Sequence, residues 1–146
     1  MALLHLKETD IRSMDVAAPI KEGESPGNKE GILDVKIHLN NDRKINIEMQ
    51  ANYQAGWSER SLFYLCRIYV EDLAQGENYQ KLDMCIYVGI LDFSLLTSPG
   101  FHHHIQLLDN KTSELYSDKF QIQVLELSKL NAPFPEEDQE LYYWAK

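Results

Sequence analysis

Two short segments of strict alternation constrain this chain more than anything else in it. Leu33, Val35, Ile37 and Leu39 interleave with Asp34, Lys36 and His38, and Ile45, Ile47 and Met49 interleave with Asn46, Glu48 and Gln50. A period of two places successive side chains on opposite faces, so each segment reads as a strand that buries its odd-numbered face. Between them lies Asn40-Asn41-Asp42-Arg43. Asn and Asp tolerate left-handed backbone and hydrogen-bond their own main chain, which suits a turn. The pattern predicts a β-hairpin.

Parity then limits the register. To keep both apolar rows on one face, paired residues must have numbers that sum to an even value, and a three-residue loop satisfies this. A loop over 40–42 sets Asp34 opposite Glu48. A loop over 41–43 sets Glu48 opposite Lys36 and diagonal to Asp34. Either register makes the two carboxylates neighbours. Directly opposed side chains start about 5 Å apart at Cβ, where like charges destabilise a sheet unless something neutralises them. A Mg²⁺ or Mn²⁺ ion would do so, because hard cations take carboxylate oxygens, carbonyls and water. The competing reading is a solvated hairpin face whose charges, Lys36 included, point to water.

A length of 146 residues suits one domain, with 44% hydrophobic and 25% charged residues favouring a folded chain over a disordered one. The expected organisation is a single domain over 1–146, with a residual N-terminal segment over 1–10 and the start of a helix over 135–146. The longest apolar stretch is well short of a membrane span, and the N-terminus lacks a secretory arrangement. The expectation is a soluble, cytoplasmic protein with no membrane partner. Cys66 and Cys85 have no CxxC spacing and sit in apolar segments, which predicts buried thiols; a nucleophilic role finds no adjacent base. A net charge of −9 argues against a generally sticky nucleic-acid binder, yet residues 29–67 carry +1 while the rest carries −10. If a metal neutralised Asp34 and Glu48, that region would become a modestly positive island permissive for phosphate.

Elsewhere, residues 11–18 read as a strand and residues 21–29 as a loop rich in Pro, Gly and charge. Ser58 is a fair N-cap for a helix running to about Ala74, with Gly76 just past its end. Leu62, Cys66, Tyr69 and Leu73 recur at helical spacing, widened by Leu65 and Phe63, and predict the face that lies against the sheet. Met84 to Phe93 is a nearly continuous apolar run expected to form a central strand buried on both sides. Phe101–Leu108 and Phe120–Leu127 predict two more strands joined through Asp109-Asn110-Lys111-Thr112. His102-His103-His104 invites a metal reading, but His103 would point away from its neighbours on a strand, so three ligands do not converge.

These segments together resemble the PD-(D/E)XK nuclease family transposases, also called recombination-promoting nucleases. The resemblance rests on Gly31-Ile32-Leu33-Asp34-Val35-Lys36, Ile45-Asn46-Ile47-Glu48-Met49-Gln50 and Glu59-Arg60-Ser61-Leu62-Phe63-Tyr64. It continues through Tyr87-Val88-Gly89-Ile90-Leu91-Asp92-Phe93, Phe101 to Asp109 and Ile122 to Leu127, covering roughly residues 10–146. It implies an α/β, restriction-endonuclease-like fold, a mixed central sheet flanked by helices. It also implies Mg²⁺ (or Mn²⁺) held by Asp34, Glu48 and the Met49 backbone carbonyl, and DNA as the partner. Phosphodiester hydrolysis would then proceed through a metal-activated water. Gln50 stands where the wider superfamily has lysine; it can orient water or phosphate but brings no charge, which Lys36 on the same face could supply. Arg60 matches the family pattern and suits either a phosphate contact or a structural salt bridge. Members of the family normally begin with another helix carrying a further acidic residue and run on past the last residues here. The expectation is therefore a domain truncated at both ends, with its first helix missing and one sheet face uncovered. The leading function is a metal-dependent DNA endonuclease domain. The alternative is a catalytically inactive remnant acting as a binding module, with self-association into a homo-oligomer through the uncovered face; a plain α/β module without a site is the third.

Overall fold

The structure, a computed structural model, describes residues 2–17, 32–133 and 136–146. Six strands form one sheet: β1 (Ile11–Ala17), β2 (Ile32–Leu39), β3 (Lys44–Gln50), β4 (Cys85–Leu91), β5 (His102–Leu108) and β6 (Leu115–Glu126). Their spatial order is β1-β2-β3-β4-β6-β5. β3, β4 and β6 run parallel at the centre, and antiparallel pairs form both flanks. Helix α1 (Trp57–Val70) connects β3 to β4, and a short α2 (Gln139–Ala145) closes the described chain. This mixed sheet with helices is the α/β architecture expected from the sequence.

The hairpin takes the 40–42 loop. Leu39 N–H donates to the Arg43 carbonyl at 2.9 Å, Asp42 N–H donates to the Leu39 carbonyl at 3.2 Å, and Asp42 sits at φ 61°. A type I turn followed by a left-handed residue is the standard three-residue connection, and Asp is one of the few side chains that tolerate that backbone. Asp34 is therefore the direct partner of Glu48, with no register shift along the pair.

Both faces are covered at the centre of the sheet, which is why every residue of β4 is buried, whereas Arg12 to Val16 of the edge strand β1 are exposed. On one face Ile37, Leu39, Ile45, Ile86, Val88, Ile90 and Leu125 pack with Leu3, Phe101 and Leu141. The N-terminal segment, in which Ala2–Leu4 and Glu8–Asp10 form 3₁₀ turns, and α2 pack on this face, which corrects the expectation of an uncovered one. On the other face α1 lays Trp57, Leu65 and Ile68 over Cys85, Tyr87, Leu91, Ile122 and Val124.

Several local expectations are corrected. Helix α1 ends at Val70 rather than Ala74 and starts from Gly56, at φ 79°, not from a Ser58 cap. Its end is set by Lys44, whose buried ammonium donates to the Ile68 carbonyl and pairs with Asp72, both at 2.8 Å, so a cation meets the negative helix terminus. The buried face is Trp57, Ser61, Leu65 and Ile68. Leu62, Phe63 and Cys66 are exposed instead, because the sheet surface beneath α1 contains Asn46, Glu48 and Gln50 and accepts a mixed helix face. Only Cys85 is a buried thiol, and burial pushes it up to about 12. β6 begins five residues before Phe120, pairing there with β5 alone. The Asp109–Glu114 turn is built as expected, with Asp109 Oδ1 accepting from the N–H groups of Lys111 and Thr112. The predicted loop over 21–29 lies outside the described residues.

Candidate active site

The hydrogen-bonding phase of the hairpin decides how close the two carboxylates come. Leu39 and Arg43 form a hydrogen-bonded pair, and pairs alternate along an unshifted antiparallel ladder, so Asp34 and Glu48 form a non-hydrogen-bonded pair. Such pairs bring side chains closer than hydrogen-bonded ones do. By the same alternation Met49 pairs with Leu33 through the backbone, which leaves its carbonyl one further lone pair.

Burial grades along the stripe. Asn46, Glu48 and Gln50 are buried beneath α1, Asp34 is half-buried and Lys36 is exposed. The stripe is thus a solvated face only at its β2 side. Glu48, 2% exposed, is the most enclosed acid of the hairpin. Its carboxylate receives two donors: Arg60 Nε lies 3.2 and 3.4 Å from its two oxygens, and the Tyr87 hydroxyl donates to Oε2. Burial works against the Arg60 charge, but Glu48 outweighs it and the guanidinium pKa is raised. Burial, joined by the bond to Glu48, also pushes the Tyr87 phenol well above its ordinary value.

Trp57 roofs this pocket. Glu48 pairs with Gly89 across β3 and β4, and a Cβ on Gly89 would lie 2.2 Å from Trp57 Cζ2, so only glycine lets the indole rest on the sheet there. The indole also meets Tyr87 edge to face at 6.2 Å between centroids. Sequence reasoning did not single out Tyr87 or Trp57. Tyr87 is the one hydroxyl-bearing residue in the apolar β4 run, and a buried phenol needs a partner, which was the available signal.

Oxygen acceptors without donors collect here. Asp34 Oδ1, Asn46 Oδ1 and Gln50 Oε1 are all buried and receive no hydrogen bond, and the buried Trp57 Nε1–H donates none, while Gln50 Nε2 donates to Gln54 Oε1 at 3.0 Å. Each buried, unmet acceptor costs roughly 1–3 kcal/mol. A hydrated hard cation satisfies acceptors of this kind, and Mg²⁺ is commonly held by only one or two carboxylates with water completing its shell. The donor set therefore fits a divalent metal between Asp34 and Glu48. Among the described residues no group of three His, Cys, Asp or Glu side chains gathers to hold a metal.

The histidine run divides as alternation requires. His102 meets Gln123 at 3.1 Å and Asp138 at 3.0 Å, and His104 meets Gln121 at 2.8 Å. His103 turns to the other face, 3.5 Å from Glu126.

A six-stranded mixed sheet, with an acid pair on a hairpin that leads into a packed helix, defines a restriction-endonuclease-like α/β protein. The chain belongs to the PD-(D/E)XK nuclease family transposases, whose family model matches residues 1–146. No curated protein and no solved structure matches it. Among the described residues no helix is long and apolar enough to cross a membrane.

Proposed function

We propose that this chain is a metal-dependent DNA endonuclease domain of the recombination-promoting type, hydrolysing phosphodiester bonds. The observation that carries the reading is the direct opposition of Asp34 and Glu48 beside buried oxygens that have no donor. Asp34, Glu48 and the Met49 carbonyl are the residues that would hold Mg²⁺ or Mn²⁺. When bound, such an ion supplies a water of lowered pKa and offsets charge gained by the phosphate. Gln50 aligns the attacking water or a phosphate oxygen by hydrogen bonds, since an amide carries no charge. Lys36, exposed on the same stripe, offers its ammonium to a DNA phosphate, and the roof of Trp57 keeps bulk water from Glu48. A cytoplasmic location agrees with DNA as substrate.

A second reading draws on the Arg60 and Tyr87 bonds to Glu48, which already stabilise that carboxylate. Under it the chain keeps the fold and binds without cleaving. Plasmid nicking with Mg²⁺ or Mn²⁺ separates the two. The endonuclease reading expects cleavage that falls by at least about 100-fold in Asp34→Ala and in Glu48→Ala. Equal cleavage by all three proteins, or none by the wild type, overturns it.

A further inference from the structure

The proposed metal site already contains a cation of its own. Glu48 is 2% exposed, and a carboxylate so enclosed needs a countercharge, which Arg60 provides from the first turn of α1. Only one edge of the guanidinium is used. Nε serves Glu48, whereas the two Nη nitrogens have no acceptor among the described residues. The guanidinium lies over the Tyr64 ring, 4.8 Å from its centroid, and the side chain is 30% exposed. An aromatic face supports a guanidinium without fixing its in-plane direction, so Arg60 can turn on Tyr64 at little cost.

We propose that Arg60 is an exchangeable counter-ion: it occupies Glu48 while the site is bare, competes with a divalent metal for that carboxylate, and passes to a DNA phosphate when released. The inference rests on the metal reading above and adds a rule of order to it. A divalent ion beside Glu48 repels the guanidinium, so metal binding without DNA is weakened by Arg60. A phosphate gives the released guanidinium a planar, bidentate partner. Metal and DNA then strengthen each other's binding through one residue, and the site is quiet until both are present.

Mn²⁺ binding to the full chain, without DNA, tests this. The exchange predicts that Arg60→Gln binds Mn²⁺ about tenfold more tightly than wild type, that Arg60→Lys stays near wild type, and that Asp34→Asn loses binding. Wild-type binding that disappears in Asp34→Asn, together with no gain in Arg60→Gln, overturns the exchange and leaves the metal site standing. Absence of binding in both wild type and Arg60→Gln overturns both. A second measurement needs no variant: titrating Mg²⁺ into the wild type should shift the Arg60 Nε–H resonance and speed its exchange with water. An unmoved resonance, while the amides of Asp34 and Glu48 respond, also overturns the exchange.

Discussion

Two buried carboxylates on this sheet receive different treatment, and the difference separates a structural acid from a candidate reactive one. Glu126 is wholly enclosed and accepts the N–H groups of Leu95 and Leu96 at 2.6 and 2.7 Å while pairing with Lys129. Lys129 also donates to the Leu96 and Ser98 carbonyls, so the pair ties the connection between β4 and β5 to the end of β6. Burial opposes the Glu126 charge, but Lys129 and the two backbone donors outweigh it and its pKa is lowered. A carboxyl whose pKa is lowered on folding stabilises the protein above its unfolded value, about 4.3, and loses that contribution as pH falls through the folded value. Glu126→Gln should thus cost about 3 kcal/mol at neutral pH and flatten the fall in stability as pH drops below that unfolded value. Urea melts across that range check it; an unchanged acid limb would mean that Glu126 is not the group responsible. Glu48 likewise has a cation in Arg60 and a donor in Tyr87, but it also faces a second acid and the donor-less oxygens of Asp34, Asn46 and Gln50.

At the scale of elements, α1 is held to the sheet at both ends. Trp57 seats on Gly89 at its start, and Lys44 clasps the Ile68 carbonyl and Asp72 at its finish. Lys44→Met should cost roughly 1–3 kcal/mol, since the Ile68 carbonyl loses its ammonium donor. Hydrogen exchange should accelerate in the last turn of α1 and leave β4 protected; uniform acceleration through the sheet would show that Lys44 supports the whole core instead. The hairpin was legible in the sequence because parity and turn chemistry act locally: odd-numbered apolar residues and Asn40-Asn41-Asp42 left only two registers. The helix face was not. Hydropathy ranks Leu62, Phe63 and Cys66 above Ser61 and Arg60, yet the sheet beneath α1 is polar around Glu48, so the face that docks is the one with a small residue for close approach and a cation for the acid. Trp57 and Tyr87 escaped for a related reason. Their importance comes from pairing β3 with β4, a contact between residues about forty positions apart that no local pattern encodes.

For the whole molecule, charge sets the terms of any association with DNA. A net charge of −9 repels the duplex, and the proposed contacts reduce to Lys36 and Arg60 beside the acid pair. With a divalent metal present to release Arg60, binding should therefore be weak and shallow in salt, with a logarithmic slope of about −2 that falls to about −1 in Lys36→Ala. Fluorescence anisotropy with a labelled duplex reads it, and a slope several units steeper would place the phosphate contacts on another surface. Covered sheet faces on both sides, one by α1 and one by the N-terminal segment with α2, give the hairpin a rigid mounting. That rigidity is what two like charges in a non-hydrogen-bonded pair require if they are to wait for a cation. Crystals grown with a short DNA duplex and Mn²⁺, and measured for anomalous scattering, test this most directly. The account predicts one strong peak in contact with the carboxylates of both Asp34 and Glu48; a map with no peak there, and Arg60 undisturbed on Glu48, would contradict it.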